Sequence, residues 1–202
     1  MWQSHPYSTL ITAPTVEPLT LVEAKLYLRV DTTAENSLIT GMIVSARQMV
    51  ETYTRRALVT QTWDFRYPWF MDTRRPLIVP KAPLQSVTSV TYLDEDGTSQ
   101  TLGGSNYTAR TFSGAVAGRG YVELNDDVSL PSVYTDAIMP VTVRAVCGYG
   151  AAADVPEGLK MAIYLMLGDL YEQRQETMMS VSSKTKTTTE RLMSPYRLEQ
   201  VA

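Results

Sequence analysis

Two amphipathic stripes, separated by a long stretch with a different period, constrain this chain more than any other feature. Leu38, Ile39, Met42, Ala46, Met49, Val50 and Tyr53 recur at three and four residues, and so do Leu159, Ala162, Ile163, Met166, Leu167, Leu170 and Tyr171. This period predicts helices over 35–55 and 155–173. Each stripe must be buried against another element, and the simplest solution packs the two helices together, antiparallel or steeply crossed. The helical body is then discontinuous in sequence. Its first long helix is expected to turn Arg47, Gln48, Glu51 and Thr54 to solvent and to end at Arg55-Arg56, cations at the negative end of the dipole.

Helix starts are marked by caps. Thr20 and Glu23 have capping-box spacing ahead of Leu21, Ala24, Leu26 and Leu28, which predicts a short first helix ending near Val30-Asp31. Thr32 and Glu35 repeat that spacing before the second helix. Asp154 opens the third, with Pro156 tolerated in its first turn and Glu157 at the boxed position.

Between the long helices the period is two. Val59 to Phe65, Val87 to Tyr92, Ser99 to Leu102, Tyr107 to Arg110, Gly120 to Leu124 and Val141 to Val146 read as strands, and Asp94-Glu95-Asp96-Gly97 as a hairpin turn. Pro68, Pro76, Pro80, Pro83, Pro131 and Pro140 mark their ends. The expected fold class is α+β: two long helices plus a short N-terminal helix, an inserted antiparallel β meander or small open barrel, and extended terminal arms. The expected organisation is an N-terminal arm (1–18), the helical body in two parts (19–57 and 151–176), the β region (58–150) and a C-terminal arm (177–202).

The arms are read from composition. Pro6, Pro14 and Pro18 favour an extended N-terminal segment that frays or lies along something. Residues 177–189 are rich in Ser and Thr, which compete for backbone hydrogen bonds and predict a loop or mobile arm. Leu192-Met193-Ser194-Pro195-Tyr196-Arg197-Leu198 is a short docking segment. On this reading both arms are mobile in the free subunit, and removing 177–202 leaves the β-rich fold intact.

The 202 residues carry Lys+Arg 18 against Asp+Glu 21, a net charge of -3, with 19% charged residues. That balance argues against free electrostatic capture of nucleic acid and suits a surface covered by partners. One Cys and one His exclude an intrachain disulfide and zinc sites built from several such ligands. No stretch reads as a signal peptide or approaches the length of a membrane span, so a soluble protein of a reducing compartment is expected.

Candidate chemistry is sparse. His5, in the proline-rich arm, is the only imidazole available to a nucleophilic triad. Cys147 closes a strand and reads as a small core residue. Asp94, Glu95 and Asp96 suggest turn chemistry, because the ligand spacings of a calcium loop are missing. Asp126-Asp127 with Glu123 reads as a solvated loop. Gly114 to Gly120 lacks the Lys-Ser/Thr of a phosphate loop and reads as a flexible hairpin end. Arg55-Arg56, Arg74-Arg75 and Lys184-Thr185-Lys186 are short basic clusters, with Trp63, Tyr67, Trp69 and Phe70 near the first two. Stacking on single strands is conceivable there, but core packing by Trp63 and Phe65 and an apolar tip at Trp69-Phe70 account for them better. No catalytic, cofactor-binding or metal residue is assigned, and no cofactor is expected.

Three segments in order resemble one family. Leu19-Thr20-Leu21-Val22-Glu23-Ala24-Lys25-Leu26-Tyr27-Leu28-Arg29-Val30-Asp31 leads to a helix ending Val50-Glu51-Thr52-Tyr53-Thr54-Arg55-Arg56-Ala57-Leu58-Val59-Thr60-Gln61-Thr62-Trp63. Pro83-Leu84-Gln85-Ser86-Val87-Thr88-Ser89-Val90-Thr91-Tyr92-Leu93-Asp94-Glu95-Asp96-Gly97 follows. Cys147-Gly148-Tyr149-Gly150 with Val155 to Ile163 and Leu170-Tyr171-Glu172-Gln173-Arg174 completes the set. They resemble the longer head-tail connector (adaptor) proteins of tailed bacteriophages, over about residues 19 to 174 with a weaker echo at Met193 to Arg197. The resemblance implies a virion structural protein, not an enzyme, at the head-tail junction. It implies a homo-oligomeric ring of about twelve copies, with the portal protein and a tail-side neck or stopper protein as partners. Viral double-stranded DNA would pass through its channel without sequence recognition, and no membrane is involved. The alternatives are a β-rich tail or carbohydrate-binding module stacking ligands on Tyr67, Trp69 and Phe70, and a small cytoplasmic enzyme, which would need a convergent polar pocket.

Overall fold

A computed structural model describes residues 7–70, 75–126, 128–172 and 183–199; in the last segment side chains are described from Thr188 onward. The chain is α+β and divides into two units. A helical unit comprises 15–59 and 149–198, and a β unit comprises 1–14, 60–148 and 199–202.

In the helical unit, α1 (Leu21–Leu28) starts at the expected capping box. The Glu23 amide donates to Thr20 Oγ1 at 3.2 Å, and the Thr20 amide donates to Glu23 Oε2 at 2.8 Å. Arg29 ends α1 in the left-handed conformation. The second box does not form. Thr32 Oγ1 accepts from the Ala34 amide, two residues on, and α2 (Asn36–Thr54) begins without a side-chain cap. Its stability comes from tertiary packing of its long apolar face.

Ile39, Ile43, Ala46 and Val50 of α2 are buried with Leu159, Ala162, Ile163 and Leu167 of α3 (Glu157–Glu172) in one core. The two stripes do meet across the intervening β region. The α2 stripe is nonetheless rotated from expectation: Leu38 and Met49 are exposed, whereas Arg47, Glu51 and Thr54 are buried. A polar ladder explains the inversion. Arg47 Nε donates to Glu17 Oε2 and Nη1 to Glu51 Oε2, each at 2.7 Å, while Glu51 Oε1 accepts from the Leu58 amide at 2.8 Å. Thr54 Oγ1 donates to the Val50 carbonyl at 2.7 Å. Paired and hydrogen-bonded charges tolerate burial that isolated ones do not.

The C-terminal segment corrects the loop expectation. Residues 177–182 lie outside the described residues, but α4 (Ser183–Met193) is a helix, and Met193 enters the same core with Leu192 and Tyr196 packed against it. Few anchors suffice because backbone groups also dock. Leu198 N donates to the Thr54 carbonyl, and Arg56 Nε and Arg55 Nη1 donate to the carbonyls of Tyr196 and Leu198. Tertiary contacts here outweigh the weak intrinsic helix preference of Ser and Thr.

Among the described residues, the β unit holds two open antiparallel sheets, not one meander and not a barrel. The larger contains β1 (Tyr7–Thr12), β2 (Gln61–Tyr67), β4 (Leu84–Leu93), β5 (Ser99–Leu102) and β8 (Val141–Cys147), in the order β1-β2-β8-β4-β5. The smaller contains β3 (Leu77–Ile78), β6 (Tyr107–Arg110) and β7 (Tyr121–Leu124), in the order β3-β7-β6. The proline-rich arm thus lies along the edge of the larger sheet, with Tyr7 opposite Arg66 and Leu10 opposite Trp63. It is a paired strand over residues 7–12, so mobility of the whole arm does not hold. Strand β8 sits at the centre, and its alternate residues Val141, Val143, Ala145 and Cys147 are buried, as period two requires. On the opposite side of the same pair, Arg144 grips Asp64 with two hydrogen bonds of 2.7 and 2.8 Å.

Candidate functional site

The sequence candidates for chemistry resolve into structural roles. His5 lies outside the described residues. Cys147 is fully buried, and burial pushes its thiol up to about 12. A thiol so raised is uncharged at neutral pH and unreactive. Iodoacetamide at pH 8 is therefore expected to leave the native chain unlabelled for hours and to label it once in denaturant, followed by intact mass.

Asp94 organises the β4–β5 hairpin. Its Oδ1 accepts from the amides of Asp96 and Thr98 at 3.1 and 2.9 Å, and its Oδ2 accepts from Gln100 Nε2 at 2.8 Å. Gly97, at φ +77°, takes the left-handed position that the turn requires. The Gln100 bond, followed by the Thr98 and Asp96 amides, holds the Asp94 carboxyl below its ordinary range. A depressed carboxyl favours the folded hairpin above the unfolded pKa, and this contribution is lost as pH falls through the folded value. Gln100→Ala should raise the titration midpoint of the Asp94 side-chain carbonyl by NMR. An unchanged midpoint would contradict the assignment.

Glu123 pairs with Arg110 across β6 and β7, and Asp127 lies outside the described residues. Among the described residues, no group of three or more His, Cys, Asp or Glu could hold a metal ion. The glycine-rich loop links β6 to β7, but its end is not loose. A Cβ on Gly120 would stand 2.5 Å from Leu84 Cβ and 2.7 Å from the Arg110 carbonyl, so the backbones meet there at a distance only glycine allows.

Of the basic clusters, Arg55-Arg56 has a structural role. Arg56 is buried, and burial lowers its pKa, countered by its contact with Tyr149. Arg55 and Arg56 fasten the C-terminal segment, a role no sequence period could reveal. Arg74 and the side chains of Lys184 and Lys186 lie outside the described residues. Phe65 and Tyr67 are buried and Trp63 is half-buried, its ring 5.0 Å from Lys81 Nζ. Trp69 is exposed, while Phe70 packs on Tyr92 with ring centroids 5.1 Å apart. Among the described residues no helix is long and apolar enough to cross a membrane.

What remains available is apolar surface. On the β unit, Tyr7, Leu10 and Ile11 of the edge strand are exposed, as are Trp69, Phe112, Val116 and Ile138 in loops. On the helical unit, Val22 and Leu26 of α1 are exposed, and α2, α3 and α4 enclose a groove of about 690 Å³ whose walls include Met49, Tyr53 and Met166. Single exposed apolar residues are ordinary, but a contiguous apolar concavity such as this groove is the kind of surface that marks an interaction site.

The helical unit, discontinuous in sequence, and the two open sheets of the β unit together make a fold that other solved chains share. Residues 18–94 match the family model described as phage gp6-like head-tail connector protein. Across the whole chain, similar solved structures include one from the neck of an empty gene transfer agent particle computed with C6 symmetry, at 20% identity, a TM-score of 0.77 and 97% coverage of both chains. Another, from the virion of a native gene transfer agent particle, has 20% identity and a TM-score of 0.72, covering 96% of this chain and 97% of the other. A third, from the neck of a native particle computed with C12 symmetry, has 19% identity, a TM-score of 0.65 and the same two coverages. No curated protein matches the chain by sequence.

Proposed function

We propose that this chain is a head-tail connector, or adaptor, of a phage-like particle. Copies form a ring, twelve in number, between the portal and the tail-side neck, and the ring lines the channel through which double-stranded DNA leaves. The observation that carries this reading is the connector-family match over residues 18–94, which covers α1, α2 and strands β2, β3 and β4. The whole-chain likeness to neck proteins solved with six-fold and twelve-fold symmetry supports a ring.

The role is structural and not enzymatic. Among the described residues, three groups weighed for chemistry are engaged otherwise: Cys147 in the sheet core, Asp94 in a turn, Glu123 with Arg110. A net charge of -3 suits a channel component, since each neutralised phosphate would add affinity and slow the passage of DNA.

Removal of this chain from its particle is the direct test. DNA-filled heads without tails should accumulate, and supplying the chain should restore tailed particles with its density between portal and tail. Tailed, infectious or transducing particles assembled in its absence would overturn the assignment.

A further inference from the structure

We propose that neighbouring copies join by seating the exposed face of α1, carrying Val22 and Leu26, in the groove that α2, α3 and α4 form on the next copy. This rests on the ring reading above and adds the surface that closes the ring.

The α1 face is anomalous for a helix of a self-contained unit. Val22 and Leu26, one turn apart, are 77% and 79% exposed, and only Ala24, on the other side of the helix, is buried. The groove is anomalous in the complementary sense. Met49 is exposed although it belongs to the apolar stripe of α2, and with Tyr53 and Met166 it lines an apolar concavity. Among the described residues, one feature is a ridge without a partner and the other a trough without an occupant.

Their placement fits a head-to-tail contact. Lys25 of α1 reaches Asn36 of α2, and Asn36 lies about 180° around that helix from the groove residue Ser45, at 100° per residue. Tyr27 of α1 packs on Tyr164 and lies beside Gly168, a face about 150° around α3 from the groove residues Met166 and Asp169. Ridge and trough therefore occupy opposite flanks of the α2–α3 pair. Two different patches on opposite flanks give a heterologous contact, which closes into a ring when the rotation permits.

Charge favours a second copy of this chain as the occupant. Asp169 and Glu190 line the groove, and α1 ends at the exposed Arg29. Among the described residues no cation pairs with Asp169, and burial, then Glu172, raises its carboxyl. An arriving Arg29 brings a positive charge to these two carboxylates and also specifies the direction of docking.

Disulfide trapping tests the contact. Copies carrying Leu26→Cys are mixed with copies carrying Met49→Cys, alone and on purified portal rings, and the doubly substituted chain is oxidised in parallel. Expected are a cross-linked pair from the mixture and a ladder rising to the full ring from the double variant, both at least tenfold above a Leu26→Cys with Thr40→Cys control. Arg29→Glu should weaken association at least tenfold, and adding Asp169→Arg should restore it; all these positions are exposed or half-buried, so folding is checked by circular dichroism and not presumed. Rings that assemble without this cross-link overturn the interface and leave the connector reading standing. Copies that associate neither alone nor on portal rings overturn both.

Discussion

Replacing Glu51 by alanine is expected to destabilise the helical unit by about 3–5 kcal/mol, the cost of leaving a buried cation without its partner. Glu51 does two things at once. One carboxylate oxygen neutralises Arg47 at 2.7 Å, and the other accepts from the Leu58 amide at 2.8 Å where the chain leaves α2. Burial opposes the charge on Arg47, but the hydrogen bond to Glu17 and the charge of Glu51 more than offset it and leave its pKa raised. Without Glu51 only Glu17 remains, with a side chain 23% exposed against 9% for Glu51. Glu51→Gln keeps an acceptor for Leu58 and should lose less. Arg47→Met combined with Glu51→Gln should recover part of the loss, because no buried guanidinium is then stranded and the carboxylate that loses its partner, Glu17, is the more exposed of the two. Urea unfolding followed by circular dichroism at 222 nm measures all three, and a Glu51→Ala midpoint within error of the parent would sink the idea.

Ending the chain at residue 182 is expected to cost about 5 kcal/mol or more, comparable to the whole stability of a small domain. The truncation strips Met193 from the core and Leu192 and Tyr196 from its margin. It also removes the carbonyl that Arg56 holds, leaving a buried guanidinium short of an acceptor. The truncated chain should bind hydrophobic dyes and be cut by proteases within the helical unit. Met193→Ala is the graded version, at about 2–5 kcal/mol. A truncated chain that unfolds at the parental midpoint and resists proteolysis would show that the segment is dispensable to the fold and serves only assembly.

Much of the fold is legible in local pattern. Thr20 and Glu23 specify the start of α1 because a capping box is a contact between residues three apart. Ser99–Leu102 and Tyr107–Arg110 appear as strands where alternation places them, and Asp94 with Gly97 turns the hairpin that precedes the first of these. The α3 stripe buries Leu159, Ala162, Ile163 and Leu167 as its period demands. The connector resemblance was likewise legible, since it rests on segments whose order along the chain is itself the signal.

The proposed docking surface was much less legible. By its period Met49 belongs to the buried stripe of α2, yet it lies on the groove, while Arg47 and Glu51, on the polar face by the same period, lie inside. Hydropathy treats a charged residue as outward-facing because it cannot see that Glu17, thirty residues away, will come to neutralise it.

By itself the sequence determined what depends on neighbours along the chain: the helices and their stripes, most of the strands, the hairpin turn, and the separation of the helical body into two distant halves. Tertiary structure decided what depends on partners far along the chain. The Tyr7–Thr12 strand exists because β2 presents an edge to pair with, and α4 holds because Met193 finds the α2–α3 core. It also decided which face of α2 is inside, because the free energy of burying a charge is set by whether its counter-charge arrives, and only the folded chain brings the two together.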